Sequence, residues 1–273
     1  MQDESRTDIE KQRKHFDEVA QHYVVMKNNA KFIRVTDAIW RYLFAQIDFK
    51  GERLAVLDAM CGAAFGYDLC VKYLRQPFIY EGFDYSENMV ALARRKHPDL
   101  YIYHQDITTF SPQKQYDIVI IIGGLHHVYA HRLKAVQNIA ASLKPGGIFI
   151  NWEPTHNNRL FGEVRSLLYK RSPQFDADTE RDFTTDELNL LMQRCGFSVE
   201  TQIWPGLLAY ILWGNPNVFP RLNRGSPWLV EKIVGAEKFF WRTKLARWFS
   251  FLTVTAWRKT LAVQVKYSPD TLP

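Results

Sequence analysis

Between residues 53 and 154 the chain is built from short apolar runs separated by mixed segments. RLAVLDA (53–59), FIYEGFDY (78–85), LYIYHQD (100–106), YDIVIIIGG (116–124) and IFINWEP (148–154) predict five strands. Such runs are apolar at successive positions, as strands buried on both faces require. FGYDLCVKYL (65–74), SENMVALARRK (86–96) and RLKAVQNIAASL (132–143) read as the intervening helices, with Ser86 as an N-cap and KPGG (144–147) as a turn. This alternation predicts parallel βαβ units with right-handed crossovers and a ligand site at the carboxyl ends of the strands. The pattern resumes after 184, where TTDELNLLMQRCGF reads as a capped helix, SVETQIW as a strand and SFLTVTAWRK (250–259) as a last strand. Ahead of the core, residues 5–48 contain no proline and repeat apolar positions at helical spacing (Phe16, Val19, Ala20, Tyr23; then Ile33, Ala38, Leu43).

The expected organisation is one α/β domain over 1–273. N-terminal helices occupy 1–50, a core 51–155, the C-terminal part of the sheet 156–204 and 248–260, and a helical insertion or substrate cap 205–247. At 47% hydrophobic and 23% charged residues the composition is that of a globular chain and argues against disorder. The opening MQDESRTDIEKQRKHF lacks an apolar segment and does not read as a secretory signal. Cys61, Cys70 and Cys195 are an odd number without metal-ligand spacing, so free thiols in a reducing cytoplasm are expected and no metal site is. The net charge of +6 matters for where it sits: residues 221–248 hold seven Lys/Arg against two Glu, and Trp228, Phe239, Phe240, Trp241 and Trp248 are interleaved with them. That mixture reads either as a cap with basic stems on apolar surface or as a patch for peripheral contact with an anionic membrane. No nucleic-acid-binding module is visible.

Candidate chemistry starts at VLDAMCGAAFG (56–66). Small residues after a strand suit a backbone that touches a ligand, and Gly62 and Gly66 suit φ > 0 there, whereas Met60 and Ala64 do not. A plain strand–turn–helix junction reads the same way. Asp58 closes the first strand, Asp84 the second, 22 residues beyond Gly62, and Asp106 the third, after Gln105. An acid at the end of the second strand is placed to accept ribose hydroxyls.

With FDEVAQHY (16–23), VLDAMCGAAFG, GFDYSENMVALAR (82–94), HQDI (104–107), YDIVIIIGGLHHV (116–128) and LKPGGIFI (143–150) in this order, the chain resembles the class I S-adenosylmethionine-dependent methyltransferases, of the ubiquinone/menaquinone-biosynthesis type. The resemblance implies a Rossmann-like seven-stranded sheet, mostly parallel with an antiparallel last strand, under an N-terminal helical lid. It implies S-adenosylmethionine as cofactor and S-adenosylhomocysteine as product. The loop from Asp58 through Ala59, Cys61, Gly62 and Gly66 would hold the methionine part, and Asp84 the ribose. Tyr85 and Met89 would flank the adenine, which Gln105, Asp106 and Ile107 would also contact. Gly123 and Gly124 would line the end of the fourth strand, and Tyr23 would close over the site. Met60 and Ala64 replace two glycines of the family's loop.

A dinucleotide oxidoreductase is the enzymatic rival, but its GxGxxG would begin at Met60. A cofactor-binding scaffold without catalysis is the non-enzymatic one. For methyl transfer, a hydroxyl acceptor must lose a proton, and His127, then His126, then His156 are the candidate bases. A histidine in any of these places also serves by packing or hydrogen bonding alone. The expected acceptor is a small or lipid-like molecule carrying a hydroxyl, with carbon or nitrogen as alternative targets.

Overall fold

The computed structural model describes residues 10–14, 17–18, 29–163, 181–214 and 224–260. Seven strands, β1 (Leu54–Ala59), β2 (Phe78–Asp84), β3 (Tyr101–His104), β4 (Tyr116–Ile122), β5 (Leu143–Pro154), β6 (Phe197–Ile203) and β7 (Leu252–Lys259), form one sheet in the order β3-β2-β1-β4-β5-β7-β6. The first five pair in parallel, and β7 runs antiparallel to both β5 and β6. Their apolar runs are explained by two cores. Val56, Ile118, Ile120, Ile148 and Ile150 point into one, and Leu57, Val119, Ile121 and Phe149 into the other. Successive strand residues face opposite sides, so a strand covered by helices on both faces needs every position apolar.

The flanking helices are α1 (Ala30–Phe44), α2 (Phe65–Tyr73), α3 (Glu87–Lys96), α4 (Arg132–Ser142), α5 (Thr185–Arg194), α6 (Leu208–Trp213), α7 (Pro227–Glu237) and α8 (Lys244–Phe249). Ser86 caps α3 by accepting the Met89 amide, and Thr184 and Glu187 form a reciprocal capping box on α5. The long N-terminal helical reading is interrupted by a cap: Asn29 accepts the Lys31 and Phe32 amides and starts α1. Val35, Ile39, Trp40 and Leu43 then bury one face of α1, with the Trp40 ring 5.1 Å from that of Trp152.

Two boundaries differ from the sequence reading. KPGG is not a turn ahead of β5 but part of it: Leu143 already pairs with Tyr116, and a register shift between Tyr116 and Ile118 absorbs the glycines. β3 ends at His104, so Asp106 lies beyond the strand that it was expected to close.

Because β7 is antiparallel, it begins at the edge where β5 and β6 end, with Pro154 opposite Leu252 and Ile203 opposite Val254. The whole β6–β7 connection therefore springs from the carboxyl edge of the sheet. Among the described residues, no helix is long and apolar enough to cross a membrane.

Candidate active site

A cavity of about 480 Å³, counting its open mouth, lies at that edge. It sits where β1 is flanked by β2 on one side and β4 on the other, the place at which an open parallel sheet leaves a crevice. Asp58, Met60, Cys61, Gly62 and Phe65 line it from the β1–α2 junction, Asp84, Tyr85 and Met89 from the β2–α3 junction, and Ile122, Gly123, Gly124 and His127 from the end of β4.

The first loop is held by two acids. Gly62 N–H donates to Asp84 Oδ2 at 2.8 Å and Ser86 N–H to Asp84 Oδ1 at 3.0 Å. Gly66 N–H donates to Asp58 Oδ2 at 3.1 Å, and the buried Tyr80 hydroxyl donates to the same oxygen at 2.6 Å. A Cβ on residue 66 would sit 2.3 Å from that oxygen, so the position demands glycine. Burial pushes the Asp84 carboxyl up to about 6 against the pull of the Ser86 and Gly62 amides. Burial, with Asp58 and Asp84 nearby, pushes the Cys61 thiol well up, so it stays protonated and unreactive.

One expectation is overturned here. Met60 and Ala64 both take φ of +60°, flanking Gly62 at +53°. The backbone keeps the left-handed path of a glycine loop although two of the three residues carry side chains. Each strained residue costs about 1–2 kcal/mol. Part of this is offset because Ala64 is fully buried in the first core and the Met60 side chain packs on Gly124, where an added Cβ would lie 2.9 Å from the Met60 sulfur.

The second loop follows β4. Gly123, at φ +67°, donates its N–H to the Trp152 carbonyl at 2.7 Å, and a 3₁₀ turn spans Leu125–His131. Glu153, fully buried near the end of β5, organises this loop. Its carboxylate accepts the amides of Gly124 (3.3 Å), Leu125 (3.0 Å) and His126 (3.3 Å). It also contacts His126 Nδ1 at 2.8 Å and accepts Asn151 Nδ2 at 3.1 Å. His126 is thus buried and held away from the cavity, whereas His127, the next residue, lines it. The two rings lie 3.8 Å apart. His156 is elsewhere, beyond β5, with Nδ1 2.7 Å from Asp182 Oδ2.

Glu153 was missed in the sequence although it repeats the signal of Asp58 and Asp84, an acid at a strand's carboxyl end. Phe65 and Ile122 were missed as lining residues because they read as ordinary core. The remaining predicted positions divide. Tyr85 and Met89 are buried at the β2–α3 junction and reach the cavity. Ala59 is buried in the second core, as is Ile107. Gln105 N–H donates to the Asp84 carbonyl at 3.0 Å, and Asp106 Oδ1 accepts the Thr108 amide at 2.7 Å, a turn-stabilising role. Tyr23 lies outside the described residues. Asp17, near it in sequence, docks on the start of α3: its Oδ1 accepts the Ser86 hydroxyl at 2.5 Å and its backbone carbonyl accepts Asn88 Nδ2 at 3.0 Å.

Residues 56–147 match a family model described as a methyltransferase domain. A probable S-adenosylmethionine-dependent methyltransferase of Mycolicibacterium smegmatis is 28% identical over 167 residues, 58% of this chain and 60% of that protein. A dTDP-3-amino-3,6-dideoxy-alpha-D-glucopyranose N,N-dimethyltransferase of Streptomyces fradiae is 28% identical over 100 residues, 35% of this chain and 38% of that protein. The chain therefore spans less than two thirds of the length of either relative. Among solved structures, a Haloferax volcanii protein in complex with the Trm112 methyltransferase activator superposes with a TM-score of 0.61 at 18% identity, covering 92% of this chain and 98% of that one. The cofactor that these relatives point to is S-adenosylmethionine, and the donor set suits it. Asp84 offers a charged acceptor for a diol, and the glycine-like loop brings backbone into the cavity. Residues 56–147 are thus a methyltransferase domain, and the chain is similar in sequence to S-adenosylmethionine-dependent methyltransferases and shares the fold of its solved neighbour.

Proposed function

We propose that the protein transfers a methyl group from S-adenosylmethionine to a hydroxyl of a small or lipid-like acceptor. The observation that carries the acceptor reading is His127, which faces the cavity beside Gly123 and Gly124 while its neighbour His126 is fixed on Glu153. Bound S-adenosylmethionine supplies a methyl group on a positively charged sulfur that leaves readily as a thioether. The work left to the chain is alignment, exclusion of water and removal of one proton.

Asp84 would accept the ribose hydroxyls, and the loop through Gly62 would face the methionine part. Gly124 lets Ile121 and the Met60 side chain pack closely against this end of the cavity: an added Cβ there would lie 2.8 Å from Ile121 and 2.9 Å from the Met60 sulfur. Met60, Phe65, Met89 and Ile122 make much of the lining apolar, which favours a dry site and an acceptor with apolar surface. His127 would take the proton that a hydroxyl must lose as it is methylated.

Transfer to an amine is the second reading, favoured by the aminosugar dimethyltransferase among the relatives. Turnover of His127→Ala on a panel of hydroxyl- and amine-bearing acceptors, with products located by mass spectrometry, separates the two. Loss of about 10²–10⁴ in rate, with S-adenosylhomocysteine affinity kept, is expected for the hydroxyl reaction. Wild-type turnover by His127→Ala removes the base, and product methylated on nitrogen replaces the hydroxyl reading.

A further inference from the structure

The β6–β7 connection has a folded interior and an unusual exterior. Val230, Val234, Trp241 and Ala246 are buried. Trp241 meets Tyr42 of α1 edge-on at 5.3 Å, and its carbonyl accepts the Trp204 amide at 2.8 Å. Arg34 of α1 pairs with Glu231 of α7. Asn157 and Asn158, just past β5, donate to the Arg247 and Trp248 carbonyls and tie α8 to the carboxyl edge that holds the cavity.

With that interior satisfied, Trp228, Phe239, Phe240, Leu245, Trp248 and Phe249 remain outside, Phe239 at 86% and Trp228 at 64% exposure. Single exposed apolar side chains are ordinary, but seven within 22 residues of one insertion, counting Leu229 with these, are not. Arg224, Lys232, Arg242 and Lys244 are exposed among them, and none forms an ion pair with a described residue. Of the two acids of the segment, one is exposed but ion-paired and the other is turned inward. Glu231 is engaged by Arg34. Glu237 is turned inward, its Oε1 accepting the Ala209 amide at 2.9 Å, and burial pushes its carboxyl up to about 7.

We infer that the face formed by α7, the turn after it and α8 docks on an anionic lipid bilayer, setting the cavity edge of the sheet toward the membrane surface. Aromatics that reach the acyl boundary and lysines and arginines that meet lipid phosphates are the two halves of an interfacial binding surface. A protein interface would instead be depleted of lysine at its centre. The inference stands apart from the identity of the methyl acceptor.

Co-sedimentation of the full chain with phosphatidylcholine vesicles, with and without phosphatidylglycerol, tests it. Binding is expected only with phosphatidylglycerol and should weaken at high salt. Each cation near a charged membrane is worth about fivefold, so Lys232→Gln, Arg242→Gln and Lys244→Gln together should weaken binding about 100-fold. Trp228→Ala with Phe239→Ala and Trp248→Ala should abolish it while S-adenosylhomocysteine still binds by calorimetry, which reads the cofactor site separately. Equal binding to vesicles without phosphatidylglycerol, undiminished binding by the charge variant, or no binding at all would overturn the inference. So would a dimer that Phe239→Glu dissociates, because the face would then belong to a second copy.

Discussion

Asp84, at the end of β2, and Glu153, near the end of β5, each receive backbone N–H groups from a neighbouring loop, but to different degrees. Glu153 is fully buried and surrounded by the amides of Gly124, Leu125 and His126, the His126 ring and the Asn151 side chain. Asp84 lines the cavity and receives Gly62 and Ser86 N–H, with the Tyr85 amide also pulling on it, which together use only part of the roughly four acceptor positions of a carboxylate. Glu153 is spent on holding a loop. Asp84 keeps acceptor capacity toward the cavity, and burial raises its carboxyl to about 6. A buried acid beside a cavity is a ligand acceptor when its hydrogen bonds are incomplete, and a structural brace when they are not.

The hardest test of this contrast is Asp84→Ala. Charge-assisted hydrogen bonds are worth about 1.5–3 kcal/mol each, so losing acceptance of two ligand hydroxyls should lower S-adenosylhomocysteine affinity about 10²–10⁴-fold by calorimetry. Wild-type affinity in Asp84→Ala would remove the residue from the cofactor site. The pH dependence sharpens the point. Hydroxyl donors favour the charged carboxylate, so affinity should rise as pH climbs through about 6 and level off above it. Without ligand the sign reverses for stability. The folded state holds this proton more tightly than an ordinary carboxyl at 3.8, so the Asp84 contribution weakens as pH rises from about 4 to about 6.

Glu153→Gln probes the brace. An amide NH₂ would face donors at His126, leaving a buried clash and a loss of about 3 kcal/mol in stability, visible as a lower Tm. Turnover should fall because the turn bearing His127 loses its anchor, while cofactor affinity changes far less than in Asp84→Ala. An equal loss of affinity in the two variants would erase the distinction between them.

The same contrast shows how far the sequence could be read. Asp84 was legible because local signals converge on it: a strand end, a capped helix at Ser86 and a fixed separation from Gly62. Glu153 carries the strand-end signal alone, because its partners lie 27 to 29 residues earlier and no local pattern announces a contact across β4 and β5. The apolar runs gave the strands because burial on both faces leaves a periodic trace. The extent of β5 and the end of β3 were misread because KPGG and HQD carry turn chemistry that strand pairing overrides in one case and obeys in the other. The histidines were legible as a pair, but which of them faces the cavity depended on Glu153. The exposed aromatics of the insertion were visible as composition, while their outward direction required Trp213 and Trp241 to fill the interior first.

The smallest effect concerns the loop that Asp84 holds. Ala64 sits at φ +60° with its methyl group buried. Replacing it by glycine removes about 1–2 kcal/mol of backbone strain. It also removes about 0.8 kcal/mol of buried methyl and adds about 0.5–1 kcal/mol of chain entropy to the unfolded state. These terms nearly cancel, so Ala64→Gly should leave Tm almost unchanged. Ala135, equally buried but in the regular helix α4, supplies the comparison. There the same substitution relieves no strain and should cost about 1 kcal/mol or more. Thermal unfolding of the two variants side by side isolates the strain from the lost methyl. If Ala64→Gly were as damaging as Ala135→Gly, the left-handed backbone at Ala64 would carry no cost, and the loop would owe its path to something other than the two carboxylates that clamp Gly62 and Gly66.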